Sequence, residues 1–251
     1  MTGAPSSLVL RGGVIAAGHG TRLRADGYRV SKPMTPVGGR PLIQHALSRF
    51  RAIGVDRLAV IVNEESDDCR RWLSEHGQGL DLDVIVRTTP SSYASFELVA
   101  ARLAGFAAVV TTVDAIMPVD AFQHFVDSAA RFPDDAVVLG LTDHVDDENP
   151  LWATLDEDGR IQRVGGERGN HVTAGLYWLP AHRVAAPTAA FGRLRDYLKW
   201  LVDEGRPVYG VVLPLVFDID CAHDVAAAEQ AGFAPQGSHP EERSEASRLE
   251  G

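Results

Sequence analysis

The residues with most chemical potential lie in the first forty. From Val14 the chain reads Val-Ile-Ala-Ala-Gly-His-Gly-Thr-Arg-Leu, then Arg-Ala-Asp-Gly-Tyr-Arg-Val, then Ser-Lys-Pro-Met. An apolar run (Val9, Leu10, Val14, Ile15, Ala16) empties into Gly18 and Gly20, which reads as a buried strand and a turn able to approach a ligand closely. Successive backbone N–H groups over Ala16, Ala17, Gly18, Gly20 and Thr21 would form a concave anion site. Thr21 adds a hydroxyl, Arg22 a rigid fork of donors suited to phosphate oxygens, and Lys32 a compact point charge. Together these groups suggest a triphosphate; the plain alternative is an ordinary strand-to-helix turn.

Two common phosphate loops are excluded. A dinucleotide loop needs Gly-x-Gly-x-x-Gly, and Leu23 stands at the third glycine. The Walker pattern Gly-x-x-x-x-Gly-Lys-Ser/Thr is absent. A second chemical feature is Asp114, which ends the apolar run Phe106 to Val113. Ligands of open α/β sheets bind beyond the carboxyl ends of strands, and a carboxylate there needs a metal, a partner or water. A turn or helix-capping aspartate is the alternative.

The elements that must position these groups alternate. Strands are expected at Leu58 to Val62, Val84 to Val86, Phe106 to Val113, Ala136 to Leu141, His171 to Leu179 and Val208 to Phe217. Helices fall between them: one starting at Pro41 with Gly54 just past its end, Ser66 to His76, a helix ending at Ala104, Asp120 to Phe132, Phe191 to Asp203 and Ala222 to Ala231. Glu157-Asp158-Gly159 is a hairpin signal between Trp152 to Leu155 and Arg160 to Val164. Such alternation implies an α/β fold: a three-layer, Rossmann-like arrangement with a mixed, mostly parallel sheet and helices on both faces. Residues 1–233 are expected to form one domain. Residues 234–251, rich in Pro, Gly, Ser, Glu and Arg, are expected to be a disordered tail.

Composition narrows the partners. A net charge of −10 argues against nucleic acid or an anionic membrane surface. Yet Arg11, Arg22, Arg24, Arg29, Lys32 and Arg40 face a single acid, Asp26, within residues 1–40. Lysine occurs only at 32 and 199, against 22 arginines, so an ammonium at 32 stands out. Cys69 and Cys221 give no disulfide framework and fit a reducing compartment. With no signal peptide and no run of 18 apolar residues, a cytoplasmic location is expected.

The two-part pattern Gly-x-Gly-Thr-Arg-Leu followed by Val-Ser-Lys-Pro resembles the nucleotidyltransferases that make nucleoside-diphosphate sugars from a nucleoside triphosphate and a sugar 1-phosphate. The likeness runs over about residues 12–230. It implies Arg22 and Lys32 as catalytic cations, Asp114 as one Mg²⁺ ligand and Asp218, in Phe-Asp-Ile-Asp-Cys-Ala-His-Asp-Val, as the second. Val113 stands where the family usually has glycine, and Cys221-Ala222 where it has Thr-Pro. Asp220 is expected to cap the helix near Ala222, with Asp224 as a first-turn acid. Gly165-Gly-Glu-Arg and Thr173-Ala-Gly-Leu-Tyr are similar to the family's sugar-phosphate segments, implying substrate contacts from Glu167, Arg168 and Gly175. At Thr88 to Phe96 a serine- and aromatic-containing segment replaces the family's glycine-rich, base-reading one.

The chemistry so implied is in-line displacement of pyrophosphate by an anionic phosphate. No general base is needed, and the work lies in positioning and neutralising two polyanions. The expected partners are a nucleoside triphosphate, a phosphorylated small molecule and Mg²⁺, and a homo-oligomer is allowed. Transfer of a cytidylyl or similar group to a non-sugar phosphate or phosphonate is the nearest alternative. A catalytically silent, nucleotide-binding regulatory subunit is the more distant one.

Overall fold

The computed structural model describes residues 9–145, 149–182 and 191–233. In chain order its strands are β1 (Leu10–Ala16), β2 (Pro36–Val37), β3 (Arg40–Pro41), β4 (Arg57–Val62), β5 (Asp81–Val86), β6 (Ala107–Thr112) and β7 (Ala115–Ile116). There follow β8 (Val137–Thr142), β9 (Trp152–Leu155), β10 (Ile161–Val164), β11 (His171–Leu179), β12 (Val208–Leu213) and β13 (Phe217–Asp218). The helices are α1 (Thr21–Ala25), α2 (Leu42–Ala52), α3 (Asp67–His76), α4 (Ser92–Arg102), α5 (Val119–Ala129), α6 (Leu194–Asp203) and α7 (Ala222–Ala228).

The main sheet runs β5-β4-β1-β6-β11-β8-β12, with the β9–β10 hairpin joined to the start of β11. Neighbours from β5 to β6 are parallel, as are β8 and β12, while β11 runs antiparallel to both β6 and β8. One reversed strand in an otherwise parallel row gives the expected mixed, mostly parallel sheet.

Because successive side chains point to opposite faces, the near-continuous apolar strands feed two cores. Val14, Val60 and Val109 pack with α2 and α5 on one face, while Ala59, Ile61 and Val110 pack with α4 and α6 on the other. Helices therefore cover both faces of the sheet.

Boundaries depart from expectation mainly by a residue or two. The fifth strand begins at Asp81 rather than Val84, because each of its residues pairs with β4 from Arg57 onward. The expected strand Val208 to Phe217 divides into β12 and β13. The last expected helix is regular only to Ala228 and continues as a wider turn, with Gly232 at a positive φ. The expected disordered tail at 234–251 lies outside the described residues, as do residues 146–148 of the acidic loop. Among the described residues no helix is long and apolar enough to cross a membrane.

Candidate active site

The candidate groups gather beyond the carboxyl ends of β1, β6 and the middle of β11. Ala16 and Ala17 are buried at the end of β1, and the Asn63 carboxamide donates to the Ala17 carbonyl at 3.2 Å. The chain then turns outward: Gly18 and His19 are exposed, and Thr21 and Arg22 open the short α1. Gly20 takes a left-handed conformation (φ 61°, ψ 41°). A Cβ there would lie 2.8 Å from the Cβ of Lys32, so glycine allows the loop to close over the Lys32 stem. The close approach read from the sequence is thus, within the protein, an approach to Lys32.

Lys32 is only 8% exposed, and its Nζ lies 2.5 Å from both Asp114 Oδ2 and Asp220 Oδ1. The other oxygen of Asp220 pairs with the Arg22 guanidinium. Four charges therefore alternate in a chain: Arg22, Asp220, Lys32, Asp114. Burial alone would discharge the ammonium, but Asp114, Asp220 and Asp218 around it raise its pKa instead. Burial would likewise raise the Asp114 carboxyl, and the neighbouring Lys32 charge outweighs it and holds the group below its ordinary value.

Asp220 corrects the sequence reading, because it is not the helix cap. Cys221 occupies the cap position of α7, and Asp224 closes the capping box by accepting 2.8 Å bonds from the Asp220 and Cys221 amides. Asp224 thus fills its expected first-turn place, and the Asp220 side chain is released toward Lys32. One signal pointed this way: Asp218 and Asp220 are two apart, and in extended chain alternate residues share a side.

A two-residue ladder brings Asp218 to the site. In it Phe217 pairs with Ile116 and Asp218 with Ala115, while the Ile219 amide donates to the Asp114 carbonyl at 3.1 Å. Beneath this ladder lies Arg49, which no motif marks in the sequence. It is buried in α2 and donates to the Ala115 carbonyl at 2.8 Å, and burial pulls its pKa down to about 10. Its position three residues after Ala46, on the apolar face of the helix, was the available signal.

The loop carrying Lys32 is anchored by Asp68, whose carboxylate accepts from the Ser31 amide at 2.8 Å and the Ser31 hydroxyl at 2.6 Å. Those bonds outweigh the effect of burial and lower the Asp68 pKa.

Asp114 and Asp218 open onto a cavity of about 300 Å³, also lined by Gly175, Tyr177 and Arg195. Gly175 sits at φ 63° in a bulge of β11, where a Cβ would fall 2.3 Å from the Thr112 hydroxyl. Burial and the charges of Asp114 and Asp218 push the Tyr177 phenol upward. Glu167 and Arg168 are exposed in the loop between β10 and β11 and are not among the described residues lining this cavity. In the segment Thr88 to Phe96, Ser91 caps α4 by accepting from the Ala94 amide, and Tyr93 and Phe96 are buried in the core. Those rings serve packing.

Asp114 Oδ1 is buried and has no hydrogen-bond partner. An orphaned carboxylate oxygen beside a second carboxylate suits a hard cation. Among the described residues no three His, Cys, Asp or Glu side chains group to hold a metal. The protein would thus supply two carboxylates, as Mg²⁺ sites completed by substrate phosphates commonly do.

A glycine turn, two cations and two carboxylates thus lie together at the carboxyl end of a mixed sheet in an α/β protein. The chain belongs to the family described as the MobA-like NTP transferase domain, whose model matches residues 12–234, and is thus of nucleotidyltransferase type. Among curated relatives, a glucose-1-phosphate thymidylyltransferase of Streptomyces griseus is 25% identical over 211 residues, covering 80% of this chain and 59% of that protein. A CMP-5'-(3-aminopropyl)phosphonate synthase of Streptomyces rubellomurinus is 32% identical over 88 residues, 35% of this chain and 14% of that one. The chain thus spans less than two thirds of either relative. The solved inositol-1-phosphate CTP transferase of T. maritima superposes with a TM-score of 0.72 at 20% identity, over 90% of this chain and 98% of that one, a likeness of fold.

Proposed function

We propose that this chain joins a nucleoside triphosphate to a phosphorylated small molecule with release of pyrophosphate, using Mg²⁺. The observation that carries this is the alternating chain Arg22–Asp220–Lys32–Asp114, whose last member lines the cavity together with Asp218. It keeps two cations and a hard-cation site where two polyanions would meet.

In the proposed reaction an acceptor phosphoryl oxygen attacks the α-phosphorus, and the bond to the β-phosphate oxygen breaks in line. Its electrons leave with pyrophosphate. The attacking oxygen is already anionic, so no side chain need take a proton. The backbone of Gly18 to Thr21 would receive the triphosphate, with Arg22 reaching it from the exposed side of α1. Lys32, fixed by its carboxylates, would supply positive charge that needs no rearrangement at the moment of reaction. Asp114 and Asp218 would hold Mg²⁺, which when bound neutralises phosphate charge and orients the groups.

The names of relatives support two acceptor classes. One is the sugar 1-phosphate that the sequence motifs imply, in keeping with the glucose-1-phosphate thymidylyltransferase. The other is a phosphonate, as in the name of the phosphonate synthase. A silent regulatory subunit is disfavoured, since such a protein has no need of Lys32, Arg22, Asp114 and Asp218 together. The test offers each of four nucleoside triphosphates with a panel of phosphorylated acceptors and Mg²⁺, reading pyrophosphate. Release dependent on both substrates is expected, and its absence across the panel would refute transfer.

A further inference from the structure

The cavity beside Asp114 and Asp218 is lined in a way that bears on its occupant. Apart from that acidic pair, the described lining contains no carboxylate, no carboxamide and no lysine. Much of it is aliphatic: Pro150, Leu151, Val172, Leu194, Leu198 and Val216. Two of its hydroxyls already serve the main chain, Ser92 Oγ accepting from the Leu194 amide at 3.0 Å and Thr142 Oγ1 from the His144 amide at 3.2 Å. A third, Thr112 Oγ1, donates to the Gly175 carbonyl at 3.5 Å, and Thr173, Tyr177 and His144 are the other polar groups of the described lining besides Arg195 and the acidic pair.

One guanidinium lies in this wall. Arg195, on α6, is half-buried and steadied by a 3.1 Å bond to the Asn149 carbonyl. Its charge acts on Tyr177, which also feels Asp114 and Asp218, so Arg195 and the acidic pair share one local field. Arg168, the cation expected from the sequence to meet the acceptor phosphate, is exposed and absent from the described lining.

About 300 Å³ has room for a hexose or for a smaller body, so size does not decide between them. The lining does. A sugar ring brings several hydroxyls, and each one desolvated without a partner costs binding. A hydrocarbon body suits aliphatic walls, and a phosphate or phosphonate suits the fixed donors of an arginine.

We propose that this cavity is the acceptor site, that Arg195 binds the acceptor's phosphoryl or phosphonyl group, and that the body it carries is hydrocarbon rather than a polyhydroxylated ring. This rests on the nucleotidyl-transfer reading and narrows it. It makes α6 rather than the loop after β10 the source of the acceptor's cation.

The experiment compares n-butyl phosphate and n-butyl phosphonate with glucose 1-phosphate and inositol 1-phosphate, each with all four nucleoside triphosphates and Mg²⁺. Pyrophosphate release is read for the unmodified protein and for Arg195→Gln, Arg195→Lys and Arg168→Gln. The butyl acceptors are expected to exceed the hydroxylated ones in kcat/KM by about 10²-fold or more. Arg195→Gln is expected to raise the acceptor KM roughly 10- to 100-fold and leave the triphosphate KM unchanged, with Arg195→Lys recovering part of the loss. Thermal melts check that each variant folds, and calorimetry with n-butyl phosphonate repeats the comparison by binding alone. Preference for glucose or inositol phosphate overturns the acceptor class while leaving transfer intact. An acceptor KM that moves with Arg168→Gln and not with Arg195→Gln overturns the role of Arg195. No pyrophosphate with any acceptor removes the transfer reading, and this inference with it.

Discussion

Replacing Lys32 by Met tests the charge network most directly. The variant keeps the stem that packs beneath Gly20 and removes only the ammonium between Asp114 and Asp220. Breaking a buried ion pair by deleting one partner costs about 3–5 kcal/mol. Asp220 keeps Arg22, and both carboxylates retain some solvent contact (20% and 24%), so the lower end, about 3 kcal/mol, is expected. For a domain of this size that is a fall in Tm of about 6–12 °C.

The pH dependence makes the expectation sharper. In the native protein the Asp114 pKa is lowered, so its stabilising contribution is complete above the unfolded carboxylate value and is lost as pH falls through the folded one. In Lys32→Met the burial of Asp114 acts without a cation, its pKa rises, and the fold comes to prefer the protonated acid. The stability gap between variant and native protein should therefore narrow between about pH 8 and pH 5. Urea unfolding followed by tryptophan fluorescence, in EDTA, measures it. The double variant Lys32→Met/Asp114→Asn should recover part of the loss, because it removes the stranded charge. A gap that is constant with pH, together with a double variant no more stable than the single, would refute the electrostatic account.

Further outcomes follow from the same geometry. Asp114→Asn and Asp218→Asn should each lower kcat on the order of 10²–10³, the scale of losing one charge-stabilising group, while circular dichroism shows the fold retained. Arg22→Ala removes a guanidinium that is 52% exposed, so Tm should barely move, and the kinetic signature is a higher KM for triphosphate with a lower kcat. Asp68→Asn weakens the charged bonds to Ser31, and a stability loss of about 2 kcal/mol in chemical denaturation is expected, with a lower kcat as Lys32 loses its anchor. Gly175→Ala places a methyl against the Thr112 hydroxyl at a positive φ, and the measured cost in stability should be at least about 1 kcal/mol.

Much of this protein was legible along the chain. Apolar runs bounded by glycine, proline and polar residues marked the strands, so β11 was placed at both ends and the β9–β10 hairpin by its Glu-Asp-Gly turn. These features depend on side-chain periodicity and turn chemistry within a few residues, which a sequence displays directly. The glycine turn, Arg22, Lys32 and a carboxylate after β6 were readable for the same reason. Tertiary structure decided what those groups touch. Lys32 meets Asp114 and Asp220 across separations of 82 and 188 residues, which depend on β6 lying beside β1 and on the β7–β13 ladder. Asp220 looked like a cap because its own neighbourhood favours one, and only the seating of Cys221 and Asp224 on α7 turned it to Lys32. Arg168 stood in a segment similar to a substrate-binding one while Arg195 carried no motif, and the packing of α6 against the sheet put Arg195 in the cavity wall while the loop left Arg168 in solvent. Local propensity fixes which segments form and which residues end them. The charges that share a site are chosen by register and packing between segments far apart in sequence, where no local pattern reaches.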